Sequence, residues 1–292
     1  MAELMKGKTW KDFKHKMTYP AWVEIKHDEI RCRVLVDTSA RTVQYLSYAE
    51  KPLHNMQEFT PYWLELAGIT GYTEFDCGFE VNGNFNDSYR WVRSSKGLPS
   101  DLTDVKKHFL LFDLPQNTKP FEGRMVDRHT VSVLAASIDF DLYQPAGSWA
   151  HEEASVEQMF TVARERGFEG LMVKSLQHLY MRGKRIDGWL KVKPSEDADG
   201  QIVGFEEAVC GKDQPELGLK KGDPLGRAGA VLVHCEDGSQ AAPHGIEHEL
   251  AREMHEHPER FIGQWCEFKF MERDRQGGYR HPVFYRLREA KA

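Results

Sequence analysis

The sequence predicts an α+β protein in two parts: antiparallel sheets with helices over residues 1–194, then a small β-barrel over residues 195–292. Three observations predict it. Short runs rich in apolar and β-branched residues recur along the chain; two longer segments carry helical apolar spacing with stop signals; and after Pro194 the apolar pattern gives way to Ser195, Glu196, Asp197, Ala198, Asp199 and Gly200, which reads as a linker. At 292 residues with 40% hydrophobic content, the chain is long enough for one large domain or two ordinary ones.

The opening Lys6, Lys8, Lys11, Lys14 and Lys16, interleaved with Trp10 and Phe13, reads as a basic, partly helical arm. Trp22, Val23 and Ile25 then form a strand-like run that delivers Lys26 beside Asp28 and Arg31. Residues 31–36 and 42–46, separated by a polar turn, predict a hairpin. Over 52–67 the apolar residues recur at three and four residue intervals, so a helix is expected, interrupted or restarted near Pro61 and ended by Gly68 and Gly71. Residues 75–81 and 109–114 are strand candidates. Between them, 82–107 is polar, and there Arg90, Trp91, Arg93 and Lys96 suit either nucleic-acid contact or a solvated loop with Trp91 packed inward. Ser155 and Gln158 form a capping box for a helix that Gly167 stops, and a strand follows at 170–173. Beyond the linker, 202–209, 230–234 and 265–270 read as strands and 246–256 as a helix, which fits a barrel of the oligonucleotide-binding (OB) kind.

Charge narrows the function classes. A net charge of −6 argues against polyanion binding over the whole surface, yet Lys174, Arg182, Lys184, Arg185, Lys191 and Lys193 face a single acid, Asp187. The end repeats the bias, with Lys269, Arg273, Arg275, Arg280, Arg286 and Arg288 opposed by Glu272 and Asp274. Such segments suit phosphate contacts. No run approaches the ~20 apolar residues of a membrane span, and the start is too rich in lysine for a signal peptide, so a cytoplasmic protein with no membrane partner is expected. The five cysteines are widely spaced and indicate neither a disulfide framework nor a thiolate zinc site. His244, His248, His255 and His257 lie among charged neighbours that suit an exposed helix rather than a metal site.

A lysine amine is inert while protonated and becomes a nucleophile where burial or nearby positive charge favours its neutral form. Lys26 is the candidate, against the plainer reading of a solvated Lys26–Asp28 pair. Behind it, in order, come Glu80, Phe112 in Phe-Leu-Leu-Phe-Asp, Glu169-Gly170-Leu171-Met172-Val173-Lys174, and Trp189-Leu190-Lys191-Val192-Lys193-Pro194. Strand alternation points Lys191 and Lys193 to one face. Two converging lysines repel unless an anion lies between them, and phosphate is the obvious anion.

In this order the motifs resemble those of the ATP-dependent DNA ligases, in particular the short bacteriophage and viral forms, within the covalent nucleotidyltransferases that also include RNA ligases and capping enzymes. Lys26-His27-Asp28-Glu29-Ile30-Arg31 resembles the family's Lys-x-Asp-Gly-x-Arg, residues 169–174 its Glu-Gly-hydrophobic-Met-Val-Lys, and residues 189–194 its most specific run. Tyr180-Met181-Arg182-Gly183-Lys184-Arg185 and Arg280-His281-Pro282-Val283-Phe284 also look like short phage ligases. The resemblance implies an ATP-grasp-like nucleotidyltransferase (adenylation) domain followed by an OB-fold, with ATP and Mg²⁺ as cofactors, Mn²⁺ able to substitute. It implies a monomer that acts on nicked double-stranded DNA in repair, replication or recombination, in the host cytoplasm if viral. Lys26 would take AMP from ATP, pass it to the 5′-phosphate of a nick, and the 3′-hydroxyl would displace it. Glu80 and Glu169 would be ribose or metal partners, and Lys174, Lys191 and Lys193 would meet phosphate. Glu24 would accept from the adenine amino group, Phe112 would stack on the ring, and Ile25 and Arg31 would flank the nucleotide. Arg31, Arg93, Lys96, Arg182, Lys184, Arg185, Arg280, Arg286 and Arg288 are the residues expected at DNA.

The chain departs from the family at four places. Glu29 stands where glycine is usual, and Gly78-Phe79-Glu80 replaces Asp-Gly-Glu. Ser47-Tyr48 occupies the place of Ser-Arg, with Lys51 a possible stand-in for the arginine, and the terminal Arg286-Leu287-Arg288-Glu289-Ala290-Lys291 is only loosely Arg-x-Asp-Lys. The alternatives are an RNA ligase or capping-type nucleotidyltransferase, or a catalytically silent module that binds nicked DNA, which the Glu29 and Tyr48 departures favour. NAD as donor is disfavoured because the stretch before Lys26 has no room for a nicotinamide-recognition domain.

Overall fold

A computed structural model describes residues 3–274 and 276–288, and the chain divides into two units, Met1–Lys193 and Pro194–Ala292. The first unit contains β1 (Lys6–Thr9), α1 (Trp10–Phe13), β2 (Ala21–Lys26), β3 (Ile30–Asp37), β4 (Thr42–Ser47), α2 (Thr60–Thr70), β5 (Glu74–Val81) and α3 (Phe85–Arg93). It continues with β6 (Lys107–Asp113), α4 (Phe121–Ser137), β7 (Leu142–Tyr143), β8 (Gly147–Ala150), α5 (Glu153–Glu165), β9 (Gly170–Ser175) and β10 (Arg185–Val192). These strands form two five-stranded sheets, ordered β1-β10-β9-β2-β8 and β4-β3-β5-β6-β7. Pairing is antiparallel except for β1 with β10 and β6 with β7.

Strand β5 shows how sequence alternation builds the unit, because all eight of its residues are buried. Phe75, Cys77, Phe79 and Val81 join a core with Trp63 and Leu66 of α2, Trp91 of α3, and Val131 and Ala135 of α4. The alternate residues Glu74, Asp76, Gly78 and Glu80 meet polar or charged side chains from other segments. The other sheet buries Val23, Leu171, Val173, Leu190 and Val192 against Trp10 of α1 and Val156 and Ala163 of α5. Burying each such side chain contributes roughly 1.5–3 kcal/mol.

Several elements differ from the sequence reading. The lysine-rich start is an arm only in part, since Lys6–Thr9 is a strand paired parallel to β10. Pro61 lies in the first turn of α2, where its missing N–H costs nothing; Gly68 is inside the helix and Gly71, at φ 75°, ends it. The polar stretch 82–107 contains α3, capped by the Asn84 side chain accepting from the Asp87 N–H at 2.9 Å. Ser155 is not a cap, because α5 already begins at Glu153. Helix α4 escaped the apolar pattern because its buried stripe, Phe121, Arg124, Arg128, Val131 and Ala135, has helical spacing but includes two arginines.

The second unit contains β11 (Glu196–Val209), β12 (Pro224–Cys235), β13 (Gln240–Ala241), α6 (His248–Glu256), β14 (Trp265–Phe270) and β15 (Val283–Leu287). Its sheet runs β13-β12-β11-β14-β15. Ile202, Val231, Val233, Cys266 and Phe268 pack against Ala251 and Met254 of α6. The named strands do not close into a ring, although His244 makes single-residue bridges to Ala230 of β12 and Val283 of β15. The expected linker is mostly strand: Glu196 to Gly200 pair with β14, and the acids occupy positions that are exposed or half-buried.

Candidate active site

Lys26, the last residue of β2, pairs with Gly170, the first of β9, and this register puts its ammonium on Glu169. Lys26 Nζ also donates to the His27 carbonyl at 3.1 Å. A Cβ at position 170 would lie 2.1 Å from the Val192 carbonyl oxygen, so glycine there lets the end of β10 close in. The approach brings Lys193 Nζ to 2.5 Å from the second Glu169 oxygen. Burial works against the Glu169 charge, but the Lys26 and Lys193 ammoniums outweigh it and hold the carboxyl below its ordinary range.

A cavity of about 190 Å³ opens beside this pair. Its walls are Lys6 and Gly7 of β1, Glu24 and Ile25 of β2, His27 and Glu29 of the following loop, Arg31 of β3 and Phe112 of β6, with Met172, Lys174, Arg185, Trp189 and Lys191 from β9 and β10. The most telling wall residue is Lys191. Burial, reinforced by Arg185, Lys193, Lys26 and Lys6, pushes its ammonium down to about 8, and among the described residues it has no carboxylate within ion-pair distance. A desolvated cation among cations is unfavourable until an anion joins it.

Lys174 does not share that role. Its Nζ lies 2.5 Å from Glu24 Oε2, 3.2 Å from the Phe112 carbonyl and 4.3 Å from the Trp189 ring centroid, so it is committed to the protein rather than presented to phosphate as the sequence reading expected. Burial, with Arg128 adding to it against Glu24, lowers its ammonium to about 8. Arg128 of α4 grips Glu24 Oε1, which also accepts from Trp22 Nε1 at 3.0 Å. Glu24 therefore enters the wall with both oxygens engaged. Its carboxyl is held low by Arg128 and Lys174, which overcome the opposing effect of burial.

Glu80 lies outside the cavity lining. Its Oε2 is 3.0 Å from His108 Nε2 and 3.4 Å from His27 Nδ1; burial would raise its pKa, but bonds to His108 and His27 bring it down to about 2. A carboxyl depressed on folding stabilises the fold above its unfolded value near 4.5, and that contribution fades as pH falls toward 2. Glu80→Gln should thus cost on the order of 2–3 kcal/mol at pH 7. In urea melts, its deficit relative to wild type should shrink steadily below pH 4.5, and a constant deficit would count against the depressed carboxylate.

Arg31 lines the cavity. Its guanidinium takes both oxygens of buried Asp76 at 2.5 and 2.6 Å and lies 5.0 Å from the Phe112 centroid. Arg185 also turns to the cavity and donates to the Gly7 carbonyl at 3.0 Å. Arg182 pairs with Glu74, while Arg93, Lys96 and Lys184 are exposed. The basic bias near the end is neutralised locally: Arg280 pairs with Glu272 at 2.7 Å, Arg286 with Glu267 at 2.7 Å, and Arg288 with Asp199 at 2.8 Å. Glu267 and Asp199 were missed because strand pairing, not sequence proximity, supplies them. Arg275, Glu289, Ala290 and Lys291 lie outside the described residues. Lys6, also missed, sits with Nζ 3.2 Å from the Tyr48 ring centroid, so it and not exposed Lys51 brings a cation to the Ser47-Tyr48 departure.

Residues 92–193 match the ATP dependent DNA ligase domain. The DNA ligase of Enterobacteria phage T3 is 25% identical over 91% of this chain and 88% of its own length, and that of Escherichia phage T7 is 28% identical over 91% and 89%. A Lig E DNA ligase structure superposes with TM-score 0.73 at 21% identity, covering 99% of this chain and all of its own. The bacteriophage T7 ligase in complex with ATP gives TM-score 0.54 at 20% identity, covering 98% of each chain. These two structures share the fold. Over residues 92–193 the chain is similar to the ATP-dependent DNA ligase domain, over about nine-tenths of its length it is similar to the two phage DNA ligases, and it shares the fold of the two solved ligases.

Proposed function

We propose that the chain seals nicks in duplex DNA through AMP carried on Lys26. The observation that carries this reading is the junction of a carboxylate-held amine with a half-buried, anion-seeking cation, Lys191, in one cavity. With its proton lost to solvent, the Lys26 amine attacks the α-phosphorus of ATP; the P–N bond forms, the α–β bridging P–O bond breaks, and pyrophosphate departs. AMP then moves to the 5′-phosphate of the nick, and the 3′-hydroxyl displaces it. Covalent relay gives a poor phosphate monoester a good leaving group.

Phosphoryl transfer is mostly positioning and charge neutralisation, so Lys191, Lys193, Lys6 and Arg185 hold the phosphates while the Phe112 ring offers a face for the base. No group of three or more His, Cys, Asp or Glu among the described residues forms a cation cage. Mg²⁺ would be held beside the Glu169 carboxylate, with Glu80 behind His27. Bound there, the ion supplies neutralisation of charge on the transferring phosphate. The second unit, with five strands, α6 and the His244 bridges, is read as an OB barrel that contacts the duplex backbone. The protein acts as a monomer; among the described residues no helix is long and apolar enough to cross a membrane.

The test is direct. Incubated with Mg²⁺ and α-labelled ATP, the protein should acquire an acid-labile label on Lys26, and Lys26→Ala should acquire none. Label persisting in Lys26→Ala would refute the assignment.

A further inference from the structure

Glu29 and Gly78, two separate departures from the family pattern, meet at one point in the fold. Gly78 of β5 pairs with Arg31, and an ideal Cβ on it would lie 2.3 Å from Glu29 Cγ and 2.7 and 2.9 Å from Phe112 Cζ and Cε2. Neither side chain could keep its place if position 78 carried a β-carbon. Glycine there creates the room that Glu29 and Phe112 share in the cavity wall.

Glu24, Glu80 and Glu169 are committed: Glu24 to Arg128 and Lys174, Glu80 to two histidines, Glu169 to two lysines. Glu29 lines the cavity and is in no salt bridge among the described residues. It adjoins Phe112 on one side and feels the charge of Lys26 and Arg31 on the other. In a nucleotide the sugar lies between base and α-phosphate. With the base against Phe112 and the α-phosphate at Lys26, the group that reaches Glu29 is the sugar.

We propose that the Glu29 carboxylate accepts a hydrogen bond from one ribose hydroxyl of ATP, and that Gly78 is glycine so that it can. The assignment rests on the reading of the cavity as the ATP site. It transfers to Glu29 the ribose role that the sequence offered to Glu80. Burial disfavours the Glu29 charge, and a hydroxyl donor would compensate for the water it has lost.

The experiment compares wild type, Glu29→Ala and Glu29→Gln in rates of Lys26 labelling from α-labelled ATP, 2′-deoxy-ATP and 3′-deoxy-ATP. Glu29→Ala should lose about tenfold or more in kcat/KM for ATP, since a site built for a hydroxyl is penalised when the bond is unmade. Glu29→Gln, which keeps one weaker acceptor, should lose less. With the deoxynucleotide lacking the contacted hydroxyl, variants and wild type should agree within about twofold. An equal loss with all three nucleotides, or no loss, overturns the ribose assignment while leaving the ATP site intact. Wild type that takes no label from ATP overturns the ATP-site reading, and the assignment falls with it. Thermal melts of both variants separate misfolding from loss of contact, because Gln keeps the shape that Ala removes.

Discussion

Lys191→Ala should slow attachment of AMP to Lys26 by about a hundredfold or more, a loss typical of removing a preorganised charge aimed at a transferring phosphate. The effect should be large because Lys191 has already lost water without gaining a carboxylate, so its pairing energy is reserved for the ligand. Its ammonium, brought down to about 8, is charged below that pH and neutral above it. In the free enzyme, kcat/KM for ATP should therefore fall as pH rises through about 8. Lys174 also titrates near 8, but Lys191→Arg separates the two, since a guanidinium stays charged and should remove the high-pH decline only if Lys191 causes it. Single-turnover labelling across pH 6.5 to roughly 9.5 would read both results; a decline that survives in Lys191→Arg would assign it elsewhere.

Glu24→Gln should destabilise the first unit by about 3–5 kcal/mol, because it leaves Arg128 and Lys174 buried with their shared counter-charge gone. Both cations are fully enclosed, so neither can turn to water without opening the core. Urea denaturation should show a lower midpoint with an unchanged slope. Glu24→Gln combined with Lys174→Met should cost less than the two single changes added, since the second removes a charge the first stranded. Strict additivity would mean that the three groups do not act as a unit.

Strands β2, β5, β6, β9 and β10 could be read from the sequence because their short apolar runs are local, and the order of Lys26, Glu169 and Lys193 was legible because each sits at or beside a strand end. What could not be read depends on pairing across the sheets. Arg124 and Arg128 hid α4 because buried cations look like surface residues until Asp113 and Glu24 are seen beside them. The basic residues near the end looked free until strand register supplied Glu267 and Asp199. Glu29 and Gly78 looked like independent anomalies, because nothing local says that the residue after Asp28 will fill the space above a strand nearly fifty positions on.

The parallel contact between β1 and β10 bears on how the protein can be handled. Gly7 sits so close to Trp189 that a β-carbon would come within 2.7 Å of the Trp189 carbonyl oxygen, while Met5 offers its carbonyl to Arg31. Trimming the start back to Trp10 would strip β10 of a neighbour and turn the strand bearing Lys191 into an open edge, the kind of surface through which chains associate. A purification handle fused to the amino terminus would emerge from a segment stitched to the cavity wall, and engineers would do better to place it elsewhere.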